Sequence, residues 1–298
     1  MTETVSAQHL EVPGGRIAYD VAGPAEGYPI VLIHEAIADR RMWDREFARL
    51  SQKHRVVRYD LRGYGGSLPA DSDFSSVEDL TALVHHLKLQ RPLLVGASMG
   101  GRIALDFEVA HPGVAGGLLL VSPGFSGMDY PMFPEGVFAA DDKASKAAYD
   151  AFSSGKLEEA LEHLRGLWGA ALTGANLEFF RTMVRENAPE VFLERSGQHE
   201  RRSEPKASER FSTFRVPLVV LVGDRDNPAM PHVGRYLTTH VPNAQLRIVP
   251  GADHLLNLTA PQAFDAAVDE MVGKLPKSPR PSVAPSPGAA ASAEAAIE

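Results

Sequence analysis

Pro92-Leu93-Leu94-Val95-Gly96-Ala97-Ser98-Met99-Gly100-Gly101 is the stretch on which the reading of this chain turns. Apolar residues run into Gly96, Ser98 follows two positions later, and a helical pattern starts at Arg102-Ile103-Ala104-Leu105. This is Gly-x-Ser-x-Gly between a strand signal and a helix signal, the pattern of a nucleophile elbow. Such a turn forces the serine into a strained backbone conformation, and small residues at Gly96 and Gly100 let strand and helix approach. The helix N-terminus adds unpaired N–H groups beside the hydroxyl. The pentapeptide alone is short enough to arise by chance, and a Gly-rich turn can be a tight connection only. The strand before it and the helix after it supply the missing context. A dinucleotide site fits less well, because Gly96-x-Ser98-x-x-Gly101 lacks the middle glycine that lets backbone meet a pyrophosphate.

Outward from the elbow, strand and helix signals alternate. Residues 9–21 alternate apolar and polar around Pro13-Gly14-Gly15, which predicts a hairpin. Residues 29–33 are a short continuous apolar run, the mark of a strand buried on both faces. Residues 55–60 predict another strand, ending at the Gly63-Tyr64-Gly65-Gly66 loop, and residues 77–87 a helix. The next strand is expected over 114–121. Four helical patterns follow with no strand between them, at 139–151, 157–168, 177–186 and 189–195, and then a charge run, Glu200-Arg201-Arg202-Ser203-Glu204. Strand character returns at 216–223. A helix near 234–236, a strand at 244–249 and a helix over 261–274 complete the series. The alternation predicts an α/β fold, with a mostly parallel central sheet flanked by helices. Residues 1–123 and 215–275 would form its core and 124–214 an inserted helical lid. Residues 276–298, rich in Pro, Ser and Ala, would be a disordered tail. Most of the aromatic and Met residues of the lid (Tyr130, Phe133, Phe138, Phe179, Phe180) are expected in its own core.

Composition narrows the function. Hydrophobic residues make up 44% and charged residues 23% of the 298, as in globular proteins. A formal net charge of -8 argues against a nucleic-acid surface and, more weakly, against anionic membranes. The absence of cysteine excludes disulfides, thiolate zinc sites and a thiol nucleophile. No signal-like segment opens the chain and no apolar run is long enough to span a bilayer, so a soluble cytoplasmic protein is expected. No cofactor and no metal are expected; His34-Glu35 does not begin a zinc helix, because Ala38 stands where the second histidine would be. A homo-oligomer is left open.

A serine hydroxyl is a weak nucleophile at neutral pH and needs a base, which in turn needs an orienting group. Of eleven histidines, His254 stands out. It follows Pro250-Gly251-Ala252-Asp253, just past a strand, where the working residues of an open parallel sheet collect. The same placing singles out Gly223-Asp224-Arg225-Asp226. Ser98, an acid at 224 or 226, and His254 then come in the chain order Ser, Asp, His.

With these residues in view, the chain resembles the α/β-hydrolase superfamily over about residues 10–275. The resemblance implies an acid at Asp226, from Gly-x-x-Asp, with Asp224 left to cap the turn. Arg58-Tyr59-Asp60-Leu61-Arg62-Gly63-Tyr64-Gly65-Gly66-Ser67 is similar to the family's Asp-x-Arg-Gly-x-Gly-x-Ser loop, where Asp60 and Arg62 are expected to tie the loop together. An oxyanion hole is implied at the Met99 N–H and at the loop after 29–33. Members usually carry His-Gly-x there; this chain has His34-Glu35-Ala36-Ile37, which places the second donor at the Ala36 N–H. Glu35 replaces the customary glycine. A carboxylate there opposes the developing charge unless it turns away or pairs with Arg40 or Arg41. The plainer expectation is a solvated Glu35 whose backbone alone matters. Glu35, Trp168 and Met128 are the candidate substrate-facing side chains.

The elbow and Arg41-Met42-Trp43-Asp44 look most like the enol-lactonase and carboxylesterase members. The implied function is a serine hydrolase that cleaves a small carboxylic ester or lactone through an acyl-enzyme, with Ser98, His254 and Asp226 as its triad. Carbon–carbon bond hydrolases, acyltransferases and perhydrolases use the same triad. A hydrolase-like receptor would keep the pocket without turnover.

Overall fold

The computed structural model describes residues 7–193 and 197–276. The expected tail beyond 276 and the end of the 189–195 helix lie outside the described residues. Eight strands form one sheet: β1 (Gln8–Val12), β2 (Gly15–Ala22), β3 (Pro29–Ile33), β4 (Arg55–Tyr59), β5 (Leu93–Ala97), β6 (Gly117–Val121), β7 (Leu218–Gly223) and β8 (Gln245–Val249). Their order is β1-β2-β4-β3-β5-β6-β7-β8. β2 pairs antiparallel with β1 and with β4, and every pairing from β4 across to β8 is parallel. The helices are α1 (Asp44–Leu50), α2 (Ser76–His86), α3 (Met99–Ala110), α4 (Ala139–Ser153), α5 (Leu157–Trp168), α6 (Gly174–Glu186), α7 (Ala188–Leu193), α8 (Met230–His240), α9 (Leu256–Thr259) and α10 (Pro261–Lys274).

Strands β3, β5, β6 and β7 are buried along their whole length, which follows from helices covering both faces of the sheet. Successive side chains point to opposite faces, so each strand feeds two cores. Val31 and Ile33 join α2, α3 and α8 on one face; Ile30 and Leu32 join α1 and α10 on the other. Helices α4 to α7 connect β6 to β7. Leu161, Phe180, Met183 and Val184 from them are buried in the second core, continuous with the sheet. Phe133 and Phe138 are buried in the first core, whereas Tyr130 stacks on Phe138 but stays exposed.

β6 begins three residues later than the apolar run from 114 suggested. The Val114 N–H donates to the His111 carbonyl in a turn through Pro112 and Gly113, and this turn occupies the start of the run. The charge run near 200 is exposed at Arg201, Arg202 and Glu204, but Glu200 turns inward. Glu200 accepts from Arg102 at 2.8 and 2.9 Å and from Ser76 Oγ at 2.6 Å, with its side chain 6% exposed.

Candidate active site

Ser98 stands between β5 and α3 with φ 47° and ψ -107°, a left-handed conformation that non-glycine residues adopt at a cost of about 1–3 kcal/mol. Neighbouring strands hold it there: its N–H donates to the Val121 carbonyl at 2.9 Å, and its carbonyl accepts from the Gly124 N–H at 3.1 Å. The flanking glycines are steric requirements. A Cβ on Gly96 would lie 2.4 Å from the Gly100 carbonyl oxygen, and one on Gly100 would lie 2.3 Å from that of Ile33.

The ends of β7 and β8 bring Asp226 and His254 together. His254 Nδ1 donates to Asp226 Oδ1 at 2.9 Å, and both side chains are buried. The Asn227 N–H donates to the same oxygen at 2.7 Å, and Ser122 Oγ donates to Oδ2. The carboxylate is thus fixed from three sides, and its bond to Nδ1–H leaves Nε2 free for chemistry. Asp224 plays another part. It is exposed and takes the Gly251 N–H at 2.6 Å, capping the turn.

Glu35 corrects the expectation of a solvated side chain. It is 1% exposed, and its Oε2 lies 3.6 Å from His254 Nε2. Neither nearby arginine pairs with it. Arg40 pairs with Asp20 and Asp60, and Arg41 with Asp39 and Glu186. The cause lies in the backbone. His34 Nδ1 donates to the Glu35 carbonyl at 2.7 Å, His34 Nε2 accepts the Leu61 N–H at 2.9 Å, and the Ala38 N–H closes a turn onto Glu35. These bonds tie residue 35 down with its side chain inward. Burial pushes the Glu35 carboxyl well up; His254 opposes that, and Asp253 and Asp226 add to it. Burial alone would lower His254, but the charge and hydrogen bond of Asp226, then Glu35 and Asp253, raise it. Nε2 therefore faces Glu35, and among the described residues no hydrogen bond joins His254 to Ser98.

Met99 is the first residue of α3, so its N–H has no partner within the helix. Met99 and Ala36 border one cavity of about 110 Å³, which Leu61, Tyr64 and Phe74 also line. Tyr64 Oη donates to the Ala36 carbonyl at 2.8 Å and so orients that peptide. Trp168, at the end of α5, sets its ring 5.9 Å from the His254 imidazole at a tilt of 31°. Met128 is 37% exposed. Asp60 and Arg62 tie loops, as expected. Asp60 accepts the Arg40 and Gly66 N–H groups, and Arg62 forks onto Asp79 and holds the Pro13 and Gly14 carbonyls.

Sequence reasoning missed Ser122, Tyr64 and Asp253. Asp253 accepts the Ala171 N–H at 2.9 Å, which ties the helical insertion to the histidine loop. Among the described residues, no group of three or more His, Cys, Asp or Glu is placed to hold a metal ion. Nor is any described helix long and apolar enough to cross a membrane.

A sheet of this order, with a strained serine after β5 and a carboxylate–imidazole pair after β7 and β8, defines an α/β hydrolase. Residues 30–267 match the Alpha/beta hydrolase family, and the chain belongs to it. It is 32% identical over 130 residues to a proline iminopeptidase of Arabidopsis thaliana, a match covering 40% of this chain and 33% of that one. The chain thus spans about a third of that relative's length. It is 23% identical over 285 residues to 3-oxoadipate enol-lactonase 2 of Acinetobacter baylyi, covering 91% of this chain and 96% of the other. The structure of esterase RhEst1 from Rhodococcus sp. ECU1013 superposes with a TM-score of 0.75 at 23% identity, covering 91% of this chain and all of that one. That likeness is one of fold.

Proposed function

We propose that the protein is a serine hydrolase that cleaves a small carboxylic ester or lactone through an acyl-enzyme. The observation that carries this reading is the buried Asp226–His254 pair, joined at 2.9 Å, in a fold that sets Ser98 in a left-handed turn at the head of α3. Ser98 Oγ attacks the carbonyl carbon as its proton passes to His254 Nε2. The Met99 and Ala36 N–H groups receive the oxyanion; losing one such donor typically costs about 2.7–4 kcal/mol. The carbon–oxygen bond to the leaving group then breaks, and Nε2–H protonates the alkoxide. Water repeats the sequence on the acyl-enzyme and frees Ser98. Asp226 holds the imidazole in one tautomer and stabilises its charged form. The Ser98–His254 bond forms as substrate enters, since catalytic hydrogen bonds are often long without substrate and tighten in the complex.

The test is Ser98→Ala. Turnover of p-nitrophenyl acetate and covalent labelling by a fluorophosphonate are both expected to vanish. Retained turnover in that variant would refute the mechanism.

A further inference from the structure

Acyl transfer builds negative charge between Ala36 and Met99, yet carboxylates crowd the adjoining imidazole. Asp226 lies at Nδ1 and Glu35 3.6 Å from Nε2. Asp253 is next in the chain. Asp141, in the first turn of α4, is near enough for its charge to act on His254. Three nearby arginines are committed elsewhere: Arg40 to Asp20 and Asp60, Arg41 to Asp39 and Glu186, Arg62 to Asp79. Asp226 and Asp253 have both oxygens in hydrogen bonds. Glu35 does not: its Oε1, in a side chain 1% exposed, has no hydrogen-bond partner. A buried carboxylate oxygen left unpaired is destabilising, and a positive charge brought against it offsets that cost. Trp168 stands beside this corner with its ring 5.9 Å from the imidazole.

We infer that the substrate carries a positive charge, an amino or quaternary ammonium group, a few atoms from its scissile carbonyl, held beside His254 by Glu35 and the Trp168 ring, with the charge of Asp141 adding to the field. The inference rests on the hydrolase reading for its chemistry. A bound cation offsets the carboxylate field at the developing oxyanion. It gains cation–π attraction from the indole face. By engaging Glu35 it also weakens that carboxylate's hold on the His254 proton, so that Nε2 is free to take the proton of Ser98.

The test compares choline with its uncharged carbon isostere, 3,3-dimethylbutan-1-ol, by titration calorimetry on the full chain. Choline is expected to bind at least about tenfold more tightly, equivalent to about 1.4 kcal/mol. That preference is expected to collapse in Glu35→Gln and to shrink in Asp141→Asn, the second variant guarding against misfolding of the first. Equal affinity for the two probes, no detectable binding of choline, or a preference that survives both substitutions overturns the inference. A kinetic arm compares acetylthiocholine with 3,3-dimethylbutyl thioacetate, the released thiol being read with a disulfide reagent that finds no cysteine in the protein. A kcat/KM ratio above about ten supports the inference, and a ratio near one overturns it. Calorimetry needs no turnover. Failure of the hydrolase reading would show as absent p-nitrophenyl acetate hydrolysis with choline preference intact. Failure of the inference would show as hydrolysis with no preference for charge.

Discussion

His254 sits between one carboxylate that orients it and another that competes for its working nitrogen. Asp226, Glu35 and Asp253 together lift it above the ordinary 6.5 despite burial, and the charge of Asp141 on α4 interacts with it. A raised value means that the proton is held to higher pH, so the neutral base appears later as pH rises. The acidic limb of kcat/KM for p-nitrophenyl acetate should therefore lie above pH 6.5. Glu35→Gln removes one of the raising charges and should move that limb toward lower pH. A pH–rate profile of both proteins checks this, and an unmoved limb would take Glu35 out of the account. At this scale the sequence was generous with residue types and poor in directions. Position after a strand picked out His254, and Gly-x-x-Asp favoured Asp226 over Asp224. The inward turn of Glu35 depends on His34 bonding Leu61, 27 residues away. Nothing local in His34-Glu35-Ala36 displays that bond.

Among the elements, the β5–Ser98–α3 unit is the most tightly specified. α3 lies so close to β3 that an added methyl on Gly100 meets two backbone oxygens, at 2.3 Å on Ile33 and 2.7 Å on His34. Backbone in a central strand cannot yield, so Gly100→Ala should destabilise the fold by about 1–3 kcal/mol and misplace Ser98. Gly166→Ala is the contrast. It lies inside α5, where an added methyl meets nothing within 4 Å, and should be neutral or stabilising by up to about 1 kcal/mol. Urea midpoints for the two variants decide the point; equal midpoints would mean that α3 can draw back. Strands such as β3 and β5 were legible because unbroken apolar runs have few other uses. The boundary of β6 was not, because Val114 looks like strand while a hydrogen-bonded turn claims it. The charge run at Glu200 was read without its partners. Arg102 lies 98 residues away and Ser76 124, so its burial belongs to tertiary structure alone.

Across the whole molecule, alternating strand and helix signals were enough to give the parallel sheet and its two covered faces. They gave no hint of which core the inserted helices would join. Those helices share the second core with Ile30 and Leu32, and the insertion reaches the histidine loop through Trp168 and through the Ala171–Asp253 bond just after α5. The chain has only two tryptophans, and the other, Trp43, is fully buried against Phe264. Imidazolium quenches indole fluorescence far more than neutral imidazole does. Emission from Trp168 should therefore brighten as His254 loses its proton, and Trp168→Phe should abolish the change while Trp43 keeps its steady signal. Such a change would make Trp168 an optical gauge of the charge on His254, readable in plain buffer with no substrate added.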